Sequence, residues 1–151
     1  MKRFLIIAGL FAMTAGVATA AIWNHYEDDK PICFAELPAN AQSFIQTHYP
    51  NSEVTYATMD RDIYSTDYDV RLSCGTKIEF NGEGEWTEVD AHRQAVAREI
   101  IPMELQSYVE QNYPSQQICE IQRDKRGWDI KLTSGLELEF DNSFRLVDID
   151  D

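Results

Sequence analysis

A strand–turn–strand segment occurs twice and constrains everything around it. The first copy runs from Tyr68 to Phe80 (YDVRLSCGTKIEF) and the second from Trp128 to Phe140 (WDIKLTSGLELEF). In each, apolar side chains alternate with charged ones, break at Cys74-Gly75 or Ser134-Gly135, and resume alternating. Successive side chains of a strand point to opposite faces, so each segment is a β-hairpin with one buried and one wet face. The X-Gly pair supplies the positive φ that a tight hairpin turn needs.

The residues before each hairpin repeat as well. Leu37, Ala41, Phe44, Ile45 and Tyr49 fall at helical spacing, opened by Pro38 and stopped by Pro50. Leu105, Tyr108, Val109 and Tyr113 hold the same phase 64 residues later, between Pro102 and Pro114. Pro at the first helical position suits a start, since its missing N–H would lack a partner there anyway. Strands are expected at Val54–Met59 and Ile118–Arg123, rich in β-branched and long residues. A longer turn in copy one, Asp60 to Asp67, reduces the offset from 64 to 60, which then holds to the last strand, where Trp86, Val89 and Asp90 align with Leu146, Ile149 and Asp150.

The expected fold is α+β: two tandem repeats, each a helix followed by a four-stranded antiparallel β-sheet, with the helices packed on one sheet face. The expected divisions are a signal peptide (1–20), an N-terminal lead (21–36), repeat one (37–90), a linker helix (91–100) and repeat two (101–151). One unit alone would bury little core, so the two should join edge to edge or share a core.

The chain opens with Lys2 and Arg3, an apolar run from Phe4 to Val17, and the small residues Ala18-Thr19-Ala20. This is the pattern of a cleavable secretory signal with cleavage after Ala20, placing the protein in the periplasm or outside the cell, with no membrane span after cleavage. Losing those two cations takes the formal charge from −13 to −15. Nucleic acid is therefore not an expected partner, whereas a cationic protein, peptide or divalent cation would be attracted. Cys33, Cys74 and Cys119 are an odd set without close metal-ligand spacing; they read as non-catalytic, with one possible bridge.

The whole arrangement resembles the PepSY-like family of secreted bacterial proteins, whose fold is similar to that of the beta-lactamase inhibitory protein. The resemblance rests on Leu37-Pro38, Phe44-Ile45, Tyr49-Pro50, Tyr68-Asp69-Val70, Gly75 to Phe80, and Trp86 with Val89-Asp90. Ile101-Pro102, Tyr108-Val109, Tyr113-Pro114, Gly135 to Asp141 and Asp148 to Asp151 carry it in copy two. It implies a helix-plus-antiparallel-sheet repeat in tandem. Relatives in the pro-regions of thermolysin-like metallopeptidases add the expectation of peptidase inhibition, and the inhibitory protein binds its enzyme across the concave face of its sheet.

No catalytic signature accompanies the three histidines, His25, His48 and His92, which are far apart in sequence; the chain reads as a non-enzyme, and no cofactor motif is present. The expected binding residues are Asp69, Arg71, Lys77, Glu79, Asp129, Lys131, Glu137 and Glu139 on the wet sheet face, with Tyr56 and Tyr64 as free aromatic anchors. The expected function is a binding protein for an exported protein or peptide, inhibitor-like in mode. The alternative is a small-ligand or divalent-cation carrier using acidic turns or a groove between repeats, with Asp60, Asp62 and Asp67 as Ca²⁺ candidates.

Overall fold

The computed structural model describes residues 29–150. The expected signal peptide, its cleavage point, His25 and the acidic residues Glu27 and Asp28 lie outside the described residues.

Among the described residues two α-helices and nine strands follow in the order β1 (Lys30–Pro31), α1 (Ala39–His48), β2 (Val54–Arg61), β3 (Thr66–Leu72), β4 (Lys77–Asn81), β5 (Trp86–Asp90), α2 (Met103–Asn112), β6 (Ile118–Arg123), β7 (Gly127–Leu132), β8 (Glu137–Asp141) and β9 (Leu146–Asp150). The strands form one continuous antiparallel sheet in sequence order. The strands of both expected repeats thus belong to a single nine-stranded sheet, joined edge to edge. The ninth strand is β1, from the lead, which pairs Lys30 with Met59 and Pro31 with Thr58.

The core follows from register. Ala57, Val70, Ile78, Val89, Ile121, Ile130, Leu138 and Ile149 stand directly opposite one another from β2 to β9, one apolar row across eight strands. All but the last are buried. Ala41 and Ile45 of α1 and Leu105 and Val109 of α2 pack into the same core. Phe44 meets Phe80 edge-on at 5.7 Å, and Tyr108 repeats the contact on Phe140 at 5.0 Å. Burying each such side chain is worth about 1.5–3 kcal/mol, so the helices are held mainly by this row rather than by their own propensity.

Pro38 and Pro102 occupy the N-cap, one residue before the first helical residue, rather than the expected first helical position. In both copies a glutamine of the first turn reaches back: Gln42 Nε2 donates to the Leu37 carbonyl at 2.8 Å, and Gln106 Nε2 to the Ile101 carbonyl at 2.7 Å. Gly84, at φ +78, lets the β4–β5 turn sit against the start of α1; a Cβ there would lie 2.7 Å from the Pro38 Cβ.

The expected linker helix over 91–100 is not formed: only Arg98–Ile100 is helical, as one 3-10 turn. Main-chain bonds to the sheet prevent it, because the Ala91 and Val96 amides donate to the carbonyls of Cys119 and Ile118. The two copies meet edge to edge, β5 against β6, through Glu88↔Gln122, Val89↔Ile121 and Asp90↔Glu120. Trp86 and Trp128 face each other across this seam at 6.2 Å, and the Arg123 guanidinium lies over Trp86 while its Nε donates to the Trp86 carbonyl.

Candidate functional site

With both helices on one side, the other side of the sheet is left to the polar half of each alternation. Two rows cross eight strands. One reads Tyr56, Arg71, Lys77, Asp90, Glu120, Lys131, Glu137, Asp150; the other reads Thr58, Asp69, Glu79, Glu88, Gln122, Asp129, Glu139, Asp148. Together they carry ten carboxylates against three cations, and the second row has no cation at all.

Two of the three cations, Lys77 and Lys131, are committed to acids of their own copy. Lys77 Nζ contacts Glu79 and lies 3.1 Å from Asp69 Oδ1; Lys131 Nζ sits 2.7 Å from Glu137 Oε1. Burial alone would lower the Lys77 ammonium, but Glu79 and Asp69 outweigh it and hold its pKa above the usual lysine range. Three carboxyls are pushed the other way. Burial, then the Glu79 carboxylate directly opposite, raises Glu88 to about 7. Burial, then Glu139 opposite, raises Asp129 to about 6. Burial, then Asp90 opposite, also raises Glu120. Like charges directly across a ladder destabilise a sheet, and a cluster of perturbed carboxyls marks a candidate functional site.

Asp69, Arg71, Lys77, Glu79, Asp129, Lys131, Glu137, Glu139 and Tyr56 lie in these two rows. Tyr64 does not: it sits in the β2–β3 turn, 93% exposed, beside Ile63 at 91%. Glu88, Asp90, Glu120, Gln122, Asp148 and Asp150 were missed. The apolar–polar alternation of β5, β6 and β9 contained them, but only the pairing of β5 with β6 turns two short patches into one face.

The Ca²⁺ candidates are drawn into the fold itself. Asp62 Oδ1 accepts the amides of Tyr64 (2.6 Å) and Ser65 (2.7 Å), which lowers its pKa, and Ser65 Oγ donates to Asp67. Asp60 stands opposite Asp67. Among the described residues no group of three or more His, Cys, Asp or Glu is arranged to hold a metal ion. The groove of about 230 Å³ beside α2, lined by Ala95, Arg98, Gln106, Glu110 and Gln117 among others, holds one carboxylate, and Arg98 already pairs with it at 2.8 Å.

His92 Nδ1 lies 3.1 Å from Asp90 Oδ2, with its backbone at φ 56. His48 packs on Phe44 at 4.6 Å and lines a groove with Cys74 that contains no carboxylate. The three cysteines are free thiols, so the possible bridge is not formed; Cys119 is buried, and burial raises its pKa.

The profile of a family described as "Putative beta-lactamase-inhibitor-like, PepSY-like" matches the chain twice, over residues 18–67 and 66–148. Solved structures share the fold, among them three periplasmic-type proteins of Bacteroides. One, a "putative periplasmic protein" from Bacteroides vulgatus, is 41% identical with a TM-score of 0.80, covering 83% of this chain and 99% of its own. A "putative calcium-regulated periplasmic protein" from Bacteroides thetaiotaomicron is 42% identical with a TM-score of 0.79, covering 83% and 98%. A "putative periplasmic protein of unknown function", also from Bacteroides vulgatus, is 31% identical with a TM-score of 0.78, covering 82% and 99%. A search of curated proteins gives no match. Among the described residues no helix is long and apolar enough to cross a membrane. A two-segment match, a shared fold and this level of identity together place the chain in the PepSY-like, beta-lactamase-inhibitor-like family.

Proposed function

We propose that the protein is a periplasmic, non-enzymatic binding module that docks an exported protein or peptide on the charged face of its sheet. The observation that carries this reading is the pair of polar rows: eight strands wide, uncovered by either helix, and holding ten carboxylates against three cations. A partner that places Lys or Arg against Glu88, Glu120 and Asp129 relieves the like-charge contacts that the free sheet must bear. The partner is accordingly a basic surface, an exported hydrolase held or inhibited being one form of it. The reading includes cleavage after Ala20 and two units, 37–90 and 101–151, each a helix with four strands.

A second reading is divalent-cation binding. It draws on the similarity to a protein described as calcium-regulated and on the raised carboxyls of the face, not on the Asp60–Asp67 turn, where Asp62 is already engaged by two amides.

The test is retention from cell-envelope extract on immobilised protein, with a control carrying Asp69→Asn, Glu79→Gln, Asp129→Asn and Glu139→Gln. A protein held by the native form, released by salt and lost by the control is the expected result. Retention unaffected by the four substitutions refutes docking on this face. A rise in melting temperature with Ca²⁺ that the same control abolishes, without a retained protein, favours the second reading.

A further inference from the structure

A covered strand in the first copy has an uncovered counterpart in the second. β5 and β9 are repeat equivalents, Trp86, Val89 and Asp90 aligning with Leu146, Ile149 and Asp150. The far edge of β5 carries β6, with Ile121 opposite Val89. Among the described residues no strand pairs with the far edge of β9. Val89 is accordingly 0% exposed, whereas Ile149 is 45%, Leu146 37% and Val147 60% exposed. The apolar row ends at Ile149 beside a line of backbone groups able to pair with another strand, which is the geometry of strand addition.

We propose that β9 is a strand-addition site for an extended segment of another protein in which apolar and basic residues alternate. Asp148 and Asp150 project on the polar face beside Glu139 and Glu137, while Ile149 lies in the apolar row. An incoming strand with period two therefore meets carboxylates on one side and apolar surface on the other. A second copy does not fit. Pairing β9 with β9 sets Asp148 and Asp150 against their own kind, and like charges directly opposite oppose pairing. The edge of β2 that would continue the internal repeat is occupied, because β1 covers Met59 and Thr58 and the Ile32 amide donates to the Ala57 carbonyl. The chain's own Glu27-Asp28-Asp29 is acidic and would be repelled too. This goes beyond docking on the sheet face, since recognition here is by main-chain bonds along the edge.

The test is titration of the protein with labelled Lys-Val-Lys-Val-Lys-Val-Lys at low salt, read by fluorescence anisotropy and by amide exchange. Saturable binding with exchange at residues 146–150 slowed by about tenfold or more is expected. The same peptide N-methylated at every residue, keeping its charge but losing its donors, should not bind, nor should Glu-Val-Glu-Val-Glu-Val-Glu. Asp148→Asn with Asp150→Asn should weaken binding by about tenfold, two cross-strand charge pairs being lost. The proposal is overturned if no saturable binding occurs, if the N-methylated peptide binds equally well, or if binding leaves exchange at 146–150 unchanged. In that last case, protection confined to the rows around Glu88 and Asp129 would support the face reading alone.

Discussion

Replacing Glu88 with Gln should stabilise the protein, and only above the acid range. In the folded protein the carboxyl titrates at about 7 against an ordinary 4.5, because it is half-buried and faces Glu79. Below pH 4.5 it is protonated folded or unfolded and contributes nothing. As pH rises towards 7 the unfolded chain releases the proton first, so stability falls across that window and then levels off. A shift of this size corresponds to about 3.4 kcal/mol at 1.36 kcal/mol per unit. The side chain keeps some solvent, and screening reduces the expected loss to about 1.5–2 kcal/mol. Glu88→Gln removes the charge at nearly constant volume. Urea denaturation at pH 4 and pH 8 should therefore show equal stabilities at the lower pH and a variant more stable by about 1.5–2 kcal/mol at the higher. A gap that is the same at both values, or a variant less stable at pH 8, would refute the reasoning, because neither follows from an opposed, desolvated carboxyl.

Leu105→Ala, at a position with 0% exposure on the core-facing side of α2, should lower stability by about 2–5 kcal/mol in the same assay. Gly84→Ala and Gly75→Ala separate backbone strain from close approach. Both glycines have positive φ, but a Cβ at Gly84 meets Pro38 and the Ala41 nitrogen within 3 Å, whereas nothing lies within 4 Å at Gly75. Gly75→Ala should cost about 1–2 kcal/mol and Gly84→Ala clearly more, with faster amide exchange at the start of α1.

Much of this fold could be read from residue patterns, and the residues show why. Strand alternation placed Val70, Ile78, Ile130 and Leu138 on one face and Asp69, Glu79, Asp129 and Glu139 on the other; helical spacing placed Ala41, Ile45, Leu105 and Val109 on the core. These are local periodicities, and each is satisfied by the nearest apolar surface. The join between copies was harder to read, because pairing β5 with β6 is a long-range choice that leaves no periodic trace in 91–100. That segment contains Ala95, Val96 and Ile100 in plausible helical company, yet its amides at Ala91 and Val96 are taken by β6. Glu88 and Glu120 went unrecognised for the same reason, as their environment exists only once the seam closes. At Asp62 the sequence shows an acidic turn residue, while the structure shows a carboxylate satisfied by two amides of its own loop.

The most direct test of face docking is a backbone amide shift map of the protein with the retained partner. The account predicts changes concentrated at Arg71, Lys77, Glu88, Glu120, Asp129 and Lys131, growing weaker with salt, while Ala41, Ile45, Leu105 and Val109 stay fixed. Changes centred on α1, α2 or the groove at Arg98 and Glu110, with the two polar rows silent, would contradict it.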